Sequence, residues 1–155
     1  MTQSSDDDFD WTLRSGSTPS SDTGPDSGVG GYGYYIYIEA SDPRRLNDKA
    51  MILLPSFTRD GDFCLSFSFN MYGYHVNMLR VAKLVASGQL VTLWKMKGQQ
   101  GPHWQTAQFN VDLRTADQLA FIGIRGEAFS GDIAVDSIAV RSGRCVDGEK
   151  NVGPH

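Results

Sequence analysis

Three kinds of side chain in this sequence could do chemistry: scattered histidines, two cysteines and a set of aspartates. His75, His103 and His155 lie in turn-like stretches with no nucleophile motif beside them, so a Ser/His/Asp or Cys/His arrangement has no local support. A glycosidase needs two apposed carboxylates, and the only glutamates, Glu39, Glu127 and Glu149, have no second acid at strand spacing. No catalytic residue is therefore expected. Cys64 and Cys145 form no CxxC pair and have no histidine at ligand spacing, which argues against zinc and leaves either a disulfide or two free thiols. Asp136 is the most diagnostic acid. It sits in GDIAVDSIAVRSGRC (131–145), where Ile133 and Val135 share one phase of the apolar alternation and Ile138 and Val140 share the other. The slip between them predicts a β-bulge. A charge in an apolar strand is expensive unless partnered, so Asp136 needs a partner.

The elements that must position these residues read as short strands. Phe9 and Trp11 alternate with acids, as inward-facing residues of a short strand would. Residues 14–31 are rich in Ser, Gly, Thr, Pro and Asp and have no period, predicting a long loop that either works or is tied down. Strands are expected over 34–39, 50–54 and 63–70. In the last, Phe63, Leu65, Phe67 and Phe69 take one face and Cys64, Ser66, Ser68 and Asn70 the other. Residues 76–86 are ambiguous: Met78, Val81, Ala82 and Val85 fit a helical stripe, whereas Ser87-Gly88-Gln89 followed by the β-rich 90–96 suits a hairpin. The hairpin is the preferred reading. Strands at 107–113, at 119–124 (apolar on both faces, as in mid-sheet) and at 131–141 complete the series. About nine strands without a long helix predict an all-β, two-sheet antiparallel, jelly-roll-like sandwich.

Composition narrows the function classes. A chain of 155 residues with 40% hydrophobic content suits one domain with a substantial core. A formal net charge of −4 without a Lys/Arg cluster argues against nucleic acid. No apolar run is long enough to cross a bilayer, so a membrane is expected only through a parent protein. The opening MTQSSDDDFD has no basic and apolar leader of the secretory type, so the chain reads either as cytosolic or as a piece of a secreted protein.

Several landmarks, in order, resemble an MAM domain, the extracellular module of meprins, neuropilins and mu-class receptor tyrosine phosphatases. They are DFDWTLRSGSTPSSDTGP (8–25), GYGYYIYIEAS (31–41), CLSFSFNMYG (64–73), LWKMKGQQGPHWQTAQFNVDL (93–113) and GEAFSGDIAVDSIAV (126–140). The resemblance spans Asp8 to Cys145. It divides the chain into an acidic leader (1–7), a sandwich domain (8–145) and a tail or linker (146–155). It implies a two-sheet sandwich with strand at 76–86, a Cys64–Cys145 disulfide, and a non-catalytic extracellular role in adhesion or assembly. The protein partner would be homophilic or heterophilic. By the chain-entropy model such a bridge is worth roughly 4–5 kcal/mol. Family members usually carry a Cys-x-Phe-Glu segment and a second cysteine upstream of Asp-Phe-Asp-Trp; neither is present, so the chain reads as cut at its N-terminus.

The resemblance also implies a calcium or sodium ion near the closing strand in some members, with Asp136 the leading ligand. A hard cation collects several oxygens, and Asp26, Asp132 and Asp10 are the candidate co-ligands. On a regular strand Asp132 and Asp136 stand roughly 13 Å apart, so only the bulge, or another partner such as Asp10, would let them share an ion. The alternative is a carboxylate that accepts backbone N–H bonds without metal. Asp6-Asp7-Asp8 reads as a solvated tail. Trp11, Trp94 and Trp104 with Tyr34, Tyr35 and Tyr37 could form a sugar-stacking platform, which makes a carbohydrate-binding jelly roll the alternative function, although most tryptophans in a sandwich this size are core. Tyr35 and Tyr37, on the phase opposite Tyr34 and Ile36, are expected to face outward and contact a protein partner. Arg125-Gly126-Glu127 is a near miss for an integrin-type tripeptide and is given no function. The sequence holds no N-x-[ST] glycosylation site.

Overall fold

The computed structural model describes residues 2–3, 9–15, 23–25, 27–29, 35–38, 48–57, 59–126 and 132–145. Its strands are β1 (Thr2–Gln3), β2 (Thr12–Arg14), β3 (Tyr35–Ile38), β4 (Lys49–Leu53), β5 (Gly61–Met71), β6 (Met78–Leu84), β7 (Leu90–Lys97), β8 (Gly101–Leu113), β9 (Gln118–Ile124) and β10 (Ile133–Ser142). They form two five-stranded antiparallel sheets, β1-β4-β9-β6-β7 (sheet A) and β2-β3-β10-β5-β8 (sheet B). Successive strands lie in different sheets after β1, β3, β4, β5, β7, β8 and β9, as expected of a jelly-roll-like sandwich.

The core lies between the inner faces. Phe63, Leu65, Phe67 and Phe69 of β5 face Leu79 and Val81 of β6 and Leu119 and Phe121 of β9 in one buried cluster. Phe67 binds the layers together, with ring centroids 5.1 Å from Phe121 and 5.1 Å from Trp94, both on sheet A. Edge-to-face pairs of this kind add about 0.5–1.5 kcal/mol each beyond buried area. Trp11 does the same through a donor: its indole N–H is shared between the carbonyls of Ala50 (3.0 Å) and Phe121 (3.2 Å) on sheet A. Gly123 on β9 makes room, since a Cβ there would meet Ile38 at 3.0 Å and Trp11 at 3.2 Å.

The ambiguous 76–86 segment contains a strand, β6, which joins β7 through a hairpin in which Val85 and Gln89 bond and Gly88 holds φ 93°. Its helix-like spacing has a physical cause. Leu79 and Val81 face the sandwich core while Ala82 and Met78 pack into a second apolar cluster on the outer side, so apolar residues fall on both phases. The 9–11 stretch departs from its expectation. Phe9 and Trp11 are buried, but Phe9 makes only an isolated bridge to Ala50 and regular pairing starts at Thr12. The chain there is crossing from sheet A to sheet B. β8 is longer than expected, beginning at Gly101. Where the segment after β4 meets the turn before β9, Thr115 donates its N–H (2.8 Å) and hydroxyl (3.1 Å) to Asp60, and these bonds, with Arg114 nearby, hold the Asp60 carboxyl below the usual carboxylate range.

Candidate functional site

The expected bulge is present. On β10, Asp136 pairs with Ser68 and Ala139 with Ser66, so three steps on one strand match two on its neighbour, and Ser137 takes φ 53°. The extra residue lets Ile133 and Val135 on one side of the slip, and Ile138 and Val140 on the other, all pack against the same core. Asp136 is left on the outer face of sheet B. Its Oδ1 accepts the Ser137 N–H (2.7 Å) and its Oδ2 the Val29 N–H (3.0 Å).

That second bond belongs to a seam that ties the Gly/Ser-rich segment over sheet B. The Thr23 hydroxyl donates to the Tyr72 carbonyl (2.7 Å) and accepts the Asp132 N–H (3.0 Å), and the Gly24 N–H donates to the same Tyr72 oxygen (2.9 Å). The Trp104 indole N–H donates to the Ser27 carbonyl (2.8 Å). Tyr35, Tyr37 and Ala134 form a small apolar cluster against which Trp104 packs, with the Tyr35 and Trp104 centroids 5.7 Å apart. Tyr35 and Tyr37 occupy the outward phase, yet they are 2% and 4% exposed. This corrects the expectation that they offer a partner contact. The phase was right, but an outer face becomes surface only where nothing lies over it.

The three described candidate cation ligands, Asp10, Asp132 and Asp136, do not group together. The register from Ile133 to Asp136 is unbroken and the bulge lies beyond Asp136, so Asp132 and Asp136 keep the extended separation of roughly 13 Å. Asp132 is fully buried, whereas Asp10 is exposed beside buried Trp11. Asp26 lies outside the described residues, as do Asp6-Asp7-Asp8 and Tyr34. Among the described residues no three His, Cys, Asp or Glu side chains group as a metal site. Each Asp136 oxygen accepts one N–H, and no other two of these candidate side chains gather with it among the described residues. The sugar platform is not assembled either. Trp11 is 3% exposed, Trp94 packs edge-on against Phe67 and Phe69, and Trp104 serves the seam.

The disulfide joins Cys64 on β5 to Cys145, just past the end of β10, across 81 residues. Hydrogen bonds from Gly143 N–H to the Asp62 carbonyl (2.7 Å) and from Cys145 N–H to Asn110 Oδ1 (2.6 Å) guide the exiting chain to it.

One open feature was missed in the sequence. The turn after β5 and the segments beside it form a cleft of about 480 Å³ whose walls include Tyr74, His75, Asn77, Lys97 and Gly126. Tyr74 is 89% exposed, the most solvent-facing large apolar side chain among the described residues. Gly126 packs so tightly on the neighbouring turn that a Cβ would lie 1.5 Å from the His75 carbonyl oxygen. Arg125 is buried and donates to the Gly126 carbonyl (3.1 Å), so these two residues of the Arg-Gly-Glu triplet have a structural use, and Glu127 lies outside the described residues. The only sequence signal for Tyr74 was its place directly after the Met-Tyr-Gly turn.

Sheets, bulge and staple together define a disulfide-linked, jelly-roll-like module with one outer face overlaid by its own loop. Comparison with known proteins makes the class specific. The family model "MAM domain, meprin/A5/mu" matches residues 1–146, and the chain belongs to this family. It is 37% identical over 163 residues to MAM domain-containing glycosylphosphatidylinositol anchor protein 2 of Rattus norvegicus, covering 94% of this chain and 17% of that protein. It is 34% identical to human MAM domain-containing protein 2, covering 87% and 20%. The chain thus spans a fifth or less of these relatives. Among solved structures, the K1 cleaved adhesin domain of Lys-gingipain from Porphyromonas gingivalis W83 matches with a TM-score of 0.58 at 16% identity, covering 91% of this chain and 88% of that one. A family 16 carbohydrate-binding module matches at 0.50 with 9% identity, covering 74% and 79%. At such identities these two likenesses show the fold alone.

Proposed function

We propose that the chain is a non-catalytic protein-interaction module of a larger secreted or membrane-anchored extracellular protein. The observation that carries this reading is family membership along nearly the whole chain, with relatives described as glycosylphosphatidylinositol-anchored of which it spans about a sixth. The disulfide supports an oxidising compartment. Tyr74 and the cleft behind it give a protein contact its natural anchor, an exposed aromatic beside a concavity.

The test is cell attachment to surfaces coated with the domain, before and after the cells are stripped of surface protein or of glycosaminoglycan. Attachment that survives glycosaminoglycan removal, disappears with protease and weakens with Tyr74→Ala supports the reading. Attachment no better than to albumin, or attachment lost with glycosaminoglycan alone, overturns it.

A further inference from the structure

The outer face of sheet A has a composition unlike the rest of this acidic chain. Strands β4, β9, β6 and β7 (KAMIL, QLAFIGI, MLRVAKL, LVTLWKMK) contain five cationic residues and no carboxylate. Registers place four of the cations on one face in two rungs, Lys49–Ile124–Met78–Lys97 and Met51–Ile122–Arg80–Lys95. The fifth, Lys83, reaches across to the Asp112 carbonyl (2.8 Å). By strand geometry Arg80, Lys95 and Lys97 lie about 5–7 Å from their neighbours in the set, and Lys49 lies roughly 14 Å from Lys97 on the same rung. Lys49, Lys95 and Lys97 are exposed, and the Nε of half-buried Arg80 has no hydrogen-bond partner among the described residues.

What this face offers an occupant is charge. Its apolar floor is already spent, with Ile122 2% and Ile124 7% exposed and Met51, Leu53 and Met78 packed over them. Protein interfaces are depleted in lysine and draw on exposed apolar area, which is scarce here. A flexible polyanionic chain asks instead for spaced cations on an open surface, and Lys97 carries the set to the cleft where Tyr74 presents a ring on which a sugar can stack. We infer that the outer face of sheet A binds a sulfated glycosaminoglycan chain, with Lys95, Lys97 and Arg80 as the sulfate and carboxylate contacts, Lys49 as an outlying contact, and Tyr74 as the stacking residue at one end. This site shares Tyr74 with the protein contact proposed above, and substitutions at Lys95 and Lys97, which that contact does not use, separate the two.

The probe is a heparin-derived octasaccharide, titrated calorimetrically into the domain at about 50 mM and about 500 mM sodium chloride. Binding should be present at low salt and lost at high salt. Lys95→Glu and Lys97→Glu, both exposed, should each weaken it about three- to ten-fold, and the double variant more. Arg144→Glu, an equal charge change away from sheet A, should leave it within about two-fold. Tyr74→Ala should weaken it without changing the salt slope. No binding at low salt, binding unaffected by the double variant, or equal sensitivity to Arg144→Glu overturns the site. Polyglutamate binding as tightly as the octasaccharide overturns the glycan assignment in favour of an acidic protein.

Discussion

The two outer faces of this sandwich start from similar strand patterns and end differently. On sheet B, Tyr35, Tyr37 and Ala134 are roofed by a segment that Asp136, Trp104, Tyr72 and Asp132 hold down through side-chain and backbone hydrogen bonds. On sheet A, Ile122, Ile124, Ala82 and Ala120 are shielded by Met51, Leu53, Met78 and Leu90, and Lys49, Lys95 and Lys97 stay exposed. One face is closed by the chain itself; the other, among the described residues, keeps its cations in solvent. Burial of an outer face in a jelly roll is therefore set by where the long loop runs, and the carboxylate at the bulge helps to decide that.

The comparison is broken most severely at the join between β9 and the Tyr74 turn. Gly126→Ala places a methyl 1.5 Å from the His75 carbonyl oxygen and 2.7 Å from its carbon, backbone atoms that can yield only by moving the turn. The expected cost is about 4 kcal/mol or more, read as loss of soluble folded protein or a drop of about 10 °C or more in Tm by calorimetry. A Tm near wild type would show that the cleft wall is soft. Next in size is the staple. Replacing Cys64 and Cys145 together by Ala should cost about 4 kcal/mol through the 81-residue loop they close. The urea midpoint should fall accordingly, and hydrogen exchange should rise first along the β10–β5 pairing of sheet B rather than in sheet A.

Asp136→Ala acts on the difference itself. It removes the acceptor for Val29 N–H and the local bond at Ser137, for a loss of about 1–2 kcal/mol. The more telling readout is Trp104: once the seam is weakened its fluorescence should become more quenchable by acrylamide, while heparin binding on sheet A stays unchanged. Unaltered quenching would show that the Thr23, Gly24 and Trp104–Ser27 bonds hold the roof without Asp136.

How much of this the sequence showed follows the same division. The bulge was legible because an inserted residue shifts the alternation of every residue after it, and Ile133/Val135 against Ile138/Val140 record that shift. The central position of β9 was legible because both phases of 119–124 are apolar. That same two-sided burial made β6 resemble a helix. What could not be read was the fate of Tyr35 and Tyr37, since alternation assigns a face but not what lies over it, and residues 14–31 have no period from which a path follows. Nor could the basic face be read as a cluster. Arg80 and Lys95 meet directly in the β6–β7 register, with Lys97 one rung along, whereas Lys49 joins them only across β9.

The smallest expected effect concerns the cation implied by the family resemblance. A calcium ion needs several oxygens directed at a common point, yet the unbroken extended run keeps Asp132 at the far end of a strand segment from Asp136, and no group of three ligating side chains forms among the described residues. Millimolar calcium should therefore give no titration heat and shift Tm by less than about 1 °C, since a ligand stabilises only as far as its concentration exceeds its dissociation constant. A larger shift that Asp136→Asn abolishes would mean that the carboxylate leaves Val29 for the ion. The roof over sheet B would then be metal-gated, and Trp104 quenching should change with calcium in the wild-type domain alone.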